Sequence, residues 1–250
     1  ASFSGLPANT TFYARVRSVG HSGTASDYAT ISATSTLAAA LTIPVSSFTG
    51  VSAAGLTAIF DNPSNPLGTA YLALLSTAAD YSVINASAAG TMPSASGNTV
   101  IFSGLISNQT HYFRIAAVNH NSVLSAFTSA ASTATLPSPP VSASPSASNV
   151  ALTQLRLSWN GSSNASATQY TAEVSSHSDF TSGVQSFTGI NTYADPVGLW
   201  PNTTYFLRVK ALSLAPPNPD SAWANLTGGS TLAEAPAALA QPFYTVTYTS

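Results

Sequence analysis

The side chains that could act as acids, bases or metal ligands are few in this chain and widely spaced. Four histidines and eight carboxylates are spread over 250 residues, and cysteine is absent. The closest pairing is His177 with Asp179, which could form half of a catalytic or metal-binding pair. A solvated turn explains the same two residues more simply, and we expect the turn. The sequence also contains no nucleophile elbow, phosphate loop or zinc-protease motif. It therefore predicts a protein that is not an enzyme and uses no cofactor or metal.

Composition narrows the remaining classes of function. Only 6% of the residues are charged, 44% are hydrophobic, and the net charge is −2. The chain can therefore bury cores, but it has no cluster of Lys and Arg with which to bind nucleic acid. No apolar run reaches the roughly 18 residues that a membrane span needs. The richness in Ser, Thr and Asn favours a secreted or cell-surface location.

The elements that would have to position any site are revealed by an internal repeat. The motif Gly-Leu-x-x-Asn-x-Thr-x-(Tyr/Phe)-x-Arg-(Val/Ile) begins at Gly5, Gly104 and Gly198, at spacings of 99 and 94 residues. Such spacings match a small domain and exceed the repeat length of a solenoid. Phe60 and Trp159 repeat in the same register. The chain is therefore predicted to be a tandem array of domains.

Each repeat has the pattern of an all-β domain. Tyr205, Leu207 and Val209 alternate with more polar residues, which predicts a half-buried strand. Phe12 and His111 stand at the position of Tyr205 in the other two copies. Short strands separated by Gly, Pro, Asn and Ser turns, without sustained helical periodicity, predict a two-sheet β-sandwich.

These residues resemble fibronectin type III domains. The segment 198–209 is similar to the corner between strands E and F of that family, and to strand F itself. The resemblance covers all but the last dozen or so residues and points to a bacterial extracellular array of immunoglobulin-like domains. It implies that Tyr205 is a tyrosine corner whose hydroxyl bonds nearby backbone. Phe12 and His111 would occupy the same structural corner without that hydroxyl.

The resemblance also assigns domain boundaries and cores. Trp159 takes the place of the family's strand B tryptophan in one core, and Phe60 takes it in the other. The expected parts are strands E, F and G of an incomplete domain over residues 1–38, complete domains over residues 39–137 and 138–233, and a terminal strand over residues 234–250. Short linkers containing proline predict a semi-rigid, rod-like arrangement.

Two further patterns each have two interpretations. Asn9, Asn108 and Asn202 lie in Asn-x-Thr sequons, which are possible glycosylation sites or chance matches in a chain rich in Asn and Thr. Most of the basic residues lie on strand F and face outward beside aromatic rings. They could form a ladder that binds carbohydrate, or their stems could simply cover the rings, which we expect. The residues concerned are Arg15, Arg17, Arg114, Arg208 and Lys210, beside Tyr13, Tyr112 and Phe206.

The C-terminal segment has the composition of an unpaired strand. It contains Phe243, Tyr244, Val246 and Tyr248 among threonines, a combination with high β propensity. We hypothesise that this segment of one copy adds to the incomplete N-terminal domain of the next, which would propagate as a fibre. The alternative is that both ends are cuts in a longer array.

The sequence thus favours a non-enzymatic structural protein that self-associates, a rod-like subunit of an extracellular filament or cell-surface stalk. The alternative is an accessory or carbohydrate-binding array of a secreted glycoside hydrolase or adhesin, with a carbohydrate or cell-surface partner.

Overall fold

The computed structural model describes residues 2–237, and these contain sixteen strands and no helix. The chain forms two compact units. The first unit runs to Pro137 and takes in residues 163–165 and 213–219, and the second unit holds the rest. We call residues 2–38 the half-domain, residues 39–137 the middle domain and residues 138–233 the last domain.

The half-domain consists of two strands. Strands β1 (Thr11–Val16) and β2 (Ala29–Ser35) pair antiparallel, with Ala14 opposite Ile31. Residues 2–10 contain no strand, so the expectation of a strand E there is wrong. In the complete domains strand E (β7, Asn98–Ser103, and β14, Tyr193–Ala194) pairs with strand B (β4, Gly55–Phe60, and β11, Arg156–Asn160). The described part of the half-domain has no strand B to serve as that partner.

The middle domain is a sandwich of two antiparallel sheets. One sheet has the order β3-β4-β7 and the other has the order β6-β5-β8-β9. The strands are β3 (Phe48–Thr49), β4 (Gly55–Phe60), β5 (Ala70–Ser76), β6 (Ala86–Thr91), β7 (Asn98–Ser103), β8 (Thr110–Val118) and β9 (Ala131–Ala134). Alternate residues of β4 and β8 are buried, and Phe60, which is 0% exposed, packs edge-on against Tyr71 at 5.1 Å between ring centroids.

The last domain repeats this arrangement. Its sheets have the orders β10-β11-β14 and β13-β12-β15-β16. The strands are β10 (Val141–Ser148), β11 (Arg156–Asn160), β12 (Tyr170–Ser175), β13 (Gln185–Gly189), β14 (Tyr193–Ala194), β15 (Thr204–Ala211) and β16 (Ala224–Ser230). Trp159 is 5% exposed and meets the ring of Tyr170 edge-on at 6.0 Å. The predicted all-β, two-sheet sandwich is therefore confirmed in both complete domains.

Candidate functional site

The repeated motif builds the same turn three times, just before strand F, and we call this turn the E–F corner. Its first residue is a glycine and its fifth an asparagine, the residue types that enter the left-handed region at least cost. The φ angles are +72°, +71° and +65° at Gly5, Gly104 and Gly198, and 44°, 52° and 47° at Asn9, Asn108 and Asn202. The glycine and the asparagine of the motif thus set the path of the backbone at the corner.

A threonine after strand G closes each corner. In the last domain the Thr231 hydroxyl donates to the Trp200 carbonyl at 2.6 Å and accepts from the Thr203 N–H at 3.1 Å. Thr36 and Thr135 make the same pair of bonds in the other two copies. In addition, the backbone N–H of each corner asparagine donates to the carbonyl of the leucine that follows this threonine. The corner is therefore tied to the end of its own domain.

The side chain expected at the tyrosine corner differs among the copies. In the last domain the Tyr205 hydroxyl accepts a hydrogen bond from the Trp200 N–H at 2.9 Å. In the half-domain Phe12 has no hydroxyl, and the residue at the position of Trp200 is Pro7, which has no N–H. The half-domain thus lacks both the hydroxyl that would accept this hydrogen bond and the N–H that would donate it.

In the middle domain the side chain at this position is an imidazole. His111 is 2% exposed, and neither ring nitrogen makes a hydrogen bond of ordinary geometry within the described chain. Burial lowers the pKa of His111, and the nearby Ile106 backbone offsets this in part. The imidazole is therefore neutral at pH 7, because burial disfavours its charged form.

Strand order decides which fold this is. In each complete domain one sheet has strands A, B and E, which are β3, β4 and β7 or β10, β11 and β14. The other sheet has strands C′, C, F and G, which are β6, β5, β8 and β9 or β13, β12, β15 and β16, and the E–F corner leads into strand F. Both complete domains have a fibronectin type III-like fold. The solved structures that are similar to this chain include a two-domain fibronectin type III segment of chicken tenascin and the FN1–FN3 domains of chicken CNTN1. The first has 15% identity over 71% of this chain and 93% of that chain, with a TM-score of 0.44. The second has 15% identity over 87% of this chain and 76% of that chain, with a TM-score of 0.31. No family model and no curated protein matches the sequence.

In the first unit, the side chain of the corner asparagine makes hydrogen bonds to residues far away in the sequence. Asn9 is 1% exposed, its amide nitrogen donates to the Thr69 hydroxyl at 2.8 Å, and its amide oxygen accepts from the His120 N–H at 2.9 Å. Asn108 is 0% exposed, and its amide oxygen accepts from the Leu214 N–H at 2.9 Å. Leu214 lies in the segment 213–219, which belongs to the same unit.

The third corner asparagine is different. Asn202 is exposed, and its side chain makes no hydrogen bond with the rest of residues 2–237. A glycan attaches to the amide nitrogen, which therefore has to reach solvent. Burial and hydrogen bonding of Asn9 and Asn108 argue against glycans at those two positions. A glycan at Asn202 stays a prediction.

The basic residues of strand F are stacked on rings, although not on the rings named from the sequence. Arg114 lies 3.9 Å from the ring centroid of Tyr81 and 4.4 Å from that of Phe127. Arg208 lies between Phe180 and Trp223 at 4.4 and 4.7 Å. Burial raises the pKa of Tyr81 to about 12, against the opposing effect of the Arg114 charge. These arginines are occupied within their own domains, which favours the covering role over a carbohydrate ladder.

The histidines and carboxylates that could act as acids, bases or metal ligands do not lie close together within residues 2–237. Within residues 2–237, no three or more His, Asp or Glu side chains cluster as metal ligands. The Asp179 carboxylate accepts hydrogen bonds from the Thr181 N–H and hydroxyl, and the first of these is the main reason its pKa is lowered. His177 and Asp179 therefore lie in a hydrogen-bonded turn. The described part of the chain also has no helix long and apolar enough to cross a membrane.

The half-domain exposes apolar side chains that the complete domains bury. Val16 is 55% exposed, whereas Ile115 and Val209, at the same position of strand F, are 0% exposed. Phe3 is 76% exposed, whereas Phe102 is 4% exposed. The predicted assembly residues Phe243, Tyr244, Val246 and Tyr248 lie outside the described residues.

Proposed function

We propose that this chain is a non-enzymatic structural protein, the subunit of an extracellular filament or cell-surface stalk that joins head to tail. The observation that carries the proposal is the uncovered core face of the half-domain. Val16 exposes 55% of its surface, whereas Ile115 and Val209 at the same position expose 0%, and Phe3 exposes 76%, whereas Phe102 exposes 4%. Apolar area of this kind gains roughly 25 cal/mol for each Å² that a partner covers. A second copy is the partner that yields a polymer.

The C-terminal segment of a neighbouring copy is a suitable cover. If residues 243–249 are extended, Tyr244, Val246 and Tyr248 share one face, and Phe243 shares the other face with three threonines. One face of such a strand would bury on the half-domain while the other stays in solvent. The segment follows the last domain as strand A follows each linker, so it would enter the next domain of the array at the strand A position.

The last domain provides the geometry for that position. There the Ser142 hydroxyl of β10, which is strand A, accepts a hydrogen bond from the Thr227 N–H of β16 at 3.1 Å. A strand that follows a linker can thus lie beside strand G. Strand G of the half-domain is β2, which pairs only with β1 in the described part of the chain. Strand addition to β2 would satisfy its free backbone groups.

Electron microscopy of the purified chain tests the proposal. We expect regular fibres from the full chain and only short particles from a chain that ends at residue 241. Val246→Asp should abolish fibres because it charges the apolar face, and Thr247→Asp, on the opposite face, should preserve them. Short particles from every version would overturn the filament function, and retention on insoluble polysaccharide would then favour the accessory, carbohydrate-binding function.

A further inference from the structure

We propose that Asn202 of one copy docks the turn at residues 20–24 of the next copy, through the hydrogen bond that the other two corner asparagines already make. This inference rests on the proposed head-to-tail function and names the polar contact that would fix the joint. It assigns a binding role to a side chain that is exposed in the isolated chain.

The repeat register identifies the two halves of the contact. Asn9 accepts from the N–H of His120, and Asn108 accepts from the N–H of Leu214. His120 and Leu214 are 94 residues apart, as Asn108 and Asn202 are, so both bonds join equivalent positions. In each case the asparagine of one repeat receives the N–H from the F–G turn of the repeat that follows. In the head-to-tail assembly proposed above, the repeat that follows Asn202 is the first repeat of the next copy.

The residue of the first repeat at the donor position is His21, 99 residues before His120. Its backbone N–H donates no hydrogen bond within residues 2–237, and the residue is exposed. The last domain therefore has an unused acceptor at Asn202, and the half-domain has an unused donor at His21. Joining them gives a heterologous contact that leaves one free end on each copy, which is the geometry of a polymer.

The turn around His21 already has the conformation that binds asparagine in the middle domain. The Gly20 N–H donates to the Thr24 carbonyl at 2.8 Å, and the Gly23 N–H donates to the Gly20 carbonyl at 2.9 Å. The corresponding bonds from Asn119 to Val123 and from Ser122 to Asn119 are 3.0 and 2.9 Å. Gly23 and Ser122 also share a positive φ, at 83° and 61°. The turn therefore needs no rearrangement before it donates to an asparagine.

The contact also agrees with strand donation. The C-terminal segment follows the last domain in sequence, and that domain contains Asn202, whereas β2 and His21 both belong to the half-domain. One neighbour can thus satisfy both.

Sedimentation velocity over a range of concentrations tests the contact with the full chain and Asn202→Gly. Glycine accepts the positive φ of Asn202 without strain, so the change removes the amide and little else. Asn149→Gly is the matched control, because Asn149 is also exposed and has φ of 50°. We expect Asn202→Gly to weaken association roughly five- to tenfold, the effect of one lost hydrogen bond, and Asn149→Gly to leave it unchanged.

Disulfide cross-linking tests directly whether residue 21 of one copy lies close to residue 202 of another. The introduced cysteines would be the only ones, because the chain itself has none. His21→Cys with Asn202→Cys should form a ladder of covalent oligomers on mild oxidation, and His21→Cys with Asn149→Cys should form far less. Association that is lost on removal of residues 242–250 but unchanged in Asn202→Gly, without a ladder, overturns this inference and leaves the proposed function standing. Association that survives the truncation but weakens in Asn202→Gly supports the docking contact and overturns strand donation.

Discussion

The middle and last domains share one architecture but stabilise their polar groups differently. All three ion pairs among residues 2–237 lie in the last domain: Arg156 with Asp195, Arg208 with Glu173, and Lys210 with Asp220. The middle domain has none. Opposite Arg114 stands Leu74, at the position where the last domain has Glu173 opposite Arg208. Arg114 is held by the rings of Tyr81 and Phe127 alone.

The features that both domains share are the ones that specify the fold, and the features found in only one domain are additions to it. Ion pairs and the corner hydroxyl occur in one complete domain and not in the other. Both domains have alternating buried strands, a left-handed glycine and asparagine at the corner, and a threonine that closes it. Buried apolar area is the dominant favourable term in folding, and exposed ion pairs contribute little. The shared features are therefore the ones whose loss should matter most.

The largest effect is expected from the cores. Phe60→Ala should lower the free energy of unfolding of the middle domain by about 3–5 kcal/mol, because it removes a ring that is 0% exposed. Phe60→Trp, which installs the last domain's residue, should be tolerated better. Hydrogen exchange followed residue by residue, with denaturant, would assign the loss to the middle domain. An equal loss of protection in β11 and β12 would contradict a core that belongs to one domain.

The corner hydrogen bond should have the next largest effect. Tyr205→Phe leaves the Trp200 N–H without its acceptor, which should cost the last domain about 1–3 kcal/mol. Adding Trp200→Pro reproduces the pair Phe12 and Pro7 of the half-domain. Denaturant unfolding of the two single variants and the double variant gives the coupling between them. The double variant should lose less than the sum of the single losses, and strict additivity would contradict the matched loss of donor and acceptor.

The two complete domains should differ in their response to pH. Burial lowers the pKa of His111 below the ordinary histidine value, so the unfolded middle domain binds the proton more readily than the folded one. Its stability should therefore be intact above about pH 6.5 and fall as the pH drops below this, by up to about 1.4 kcal/mol per pH unit until the lowered pKa is reached. Unfolding followed from pH 8 to pH 5 measures this slope. His111→Tyr should abolish it, and an unchanged slope in that variant would assign the effect to other groups.

The sequence predicted the properties that follow from a local pattern. It did not predict those that depend on contacts between residues far apart in the chain. Alternation around Leu207 and the repeated motif were enough for strand F and the E–F corner. Strand E of the half-domain was wrongly expected because its pairing with strand B is not a local property. The rings on Arg114 come from Tyr81 and Phe127, and the groups that bury Asn9 lie 60 and 111 residues further along. The spacing within the motif does not predict those contacts. The equivalent positions of His21, His120 and Leu214 could, however, have suggested the hydrogen bond that the Asn9 side chain accepts.

The smallest effect is expected from exchanging the partners of the two strand F arginines. Glu173→Leu copies Leu74, and it should change the stability of the last domain by less than about 1 kcal/mol, since Arg208 keeps the rings of Phe180 and Trp223 and the pair is partly exposed. Leu74→Glu is the converse change and should raise the stability of the middle domain by no more than the same amount. Thermal unfolding at low and high salt separates the ionic part, which salt screens, from the stacking on the rings. A loss of several kcal/mol in Glu173→Leu would mean that the last domain depends on its charges, and that the two domains do not share one basis of stability.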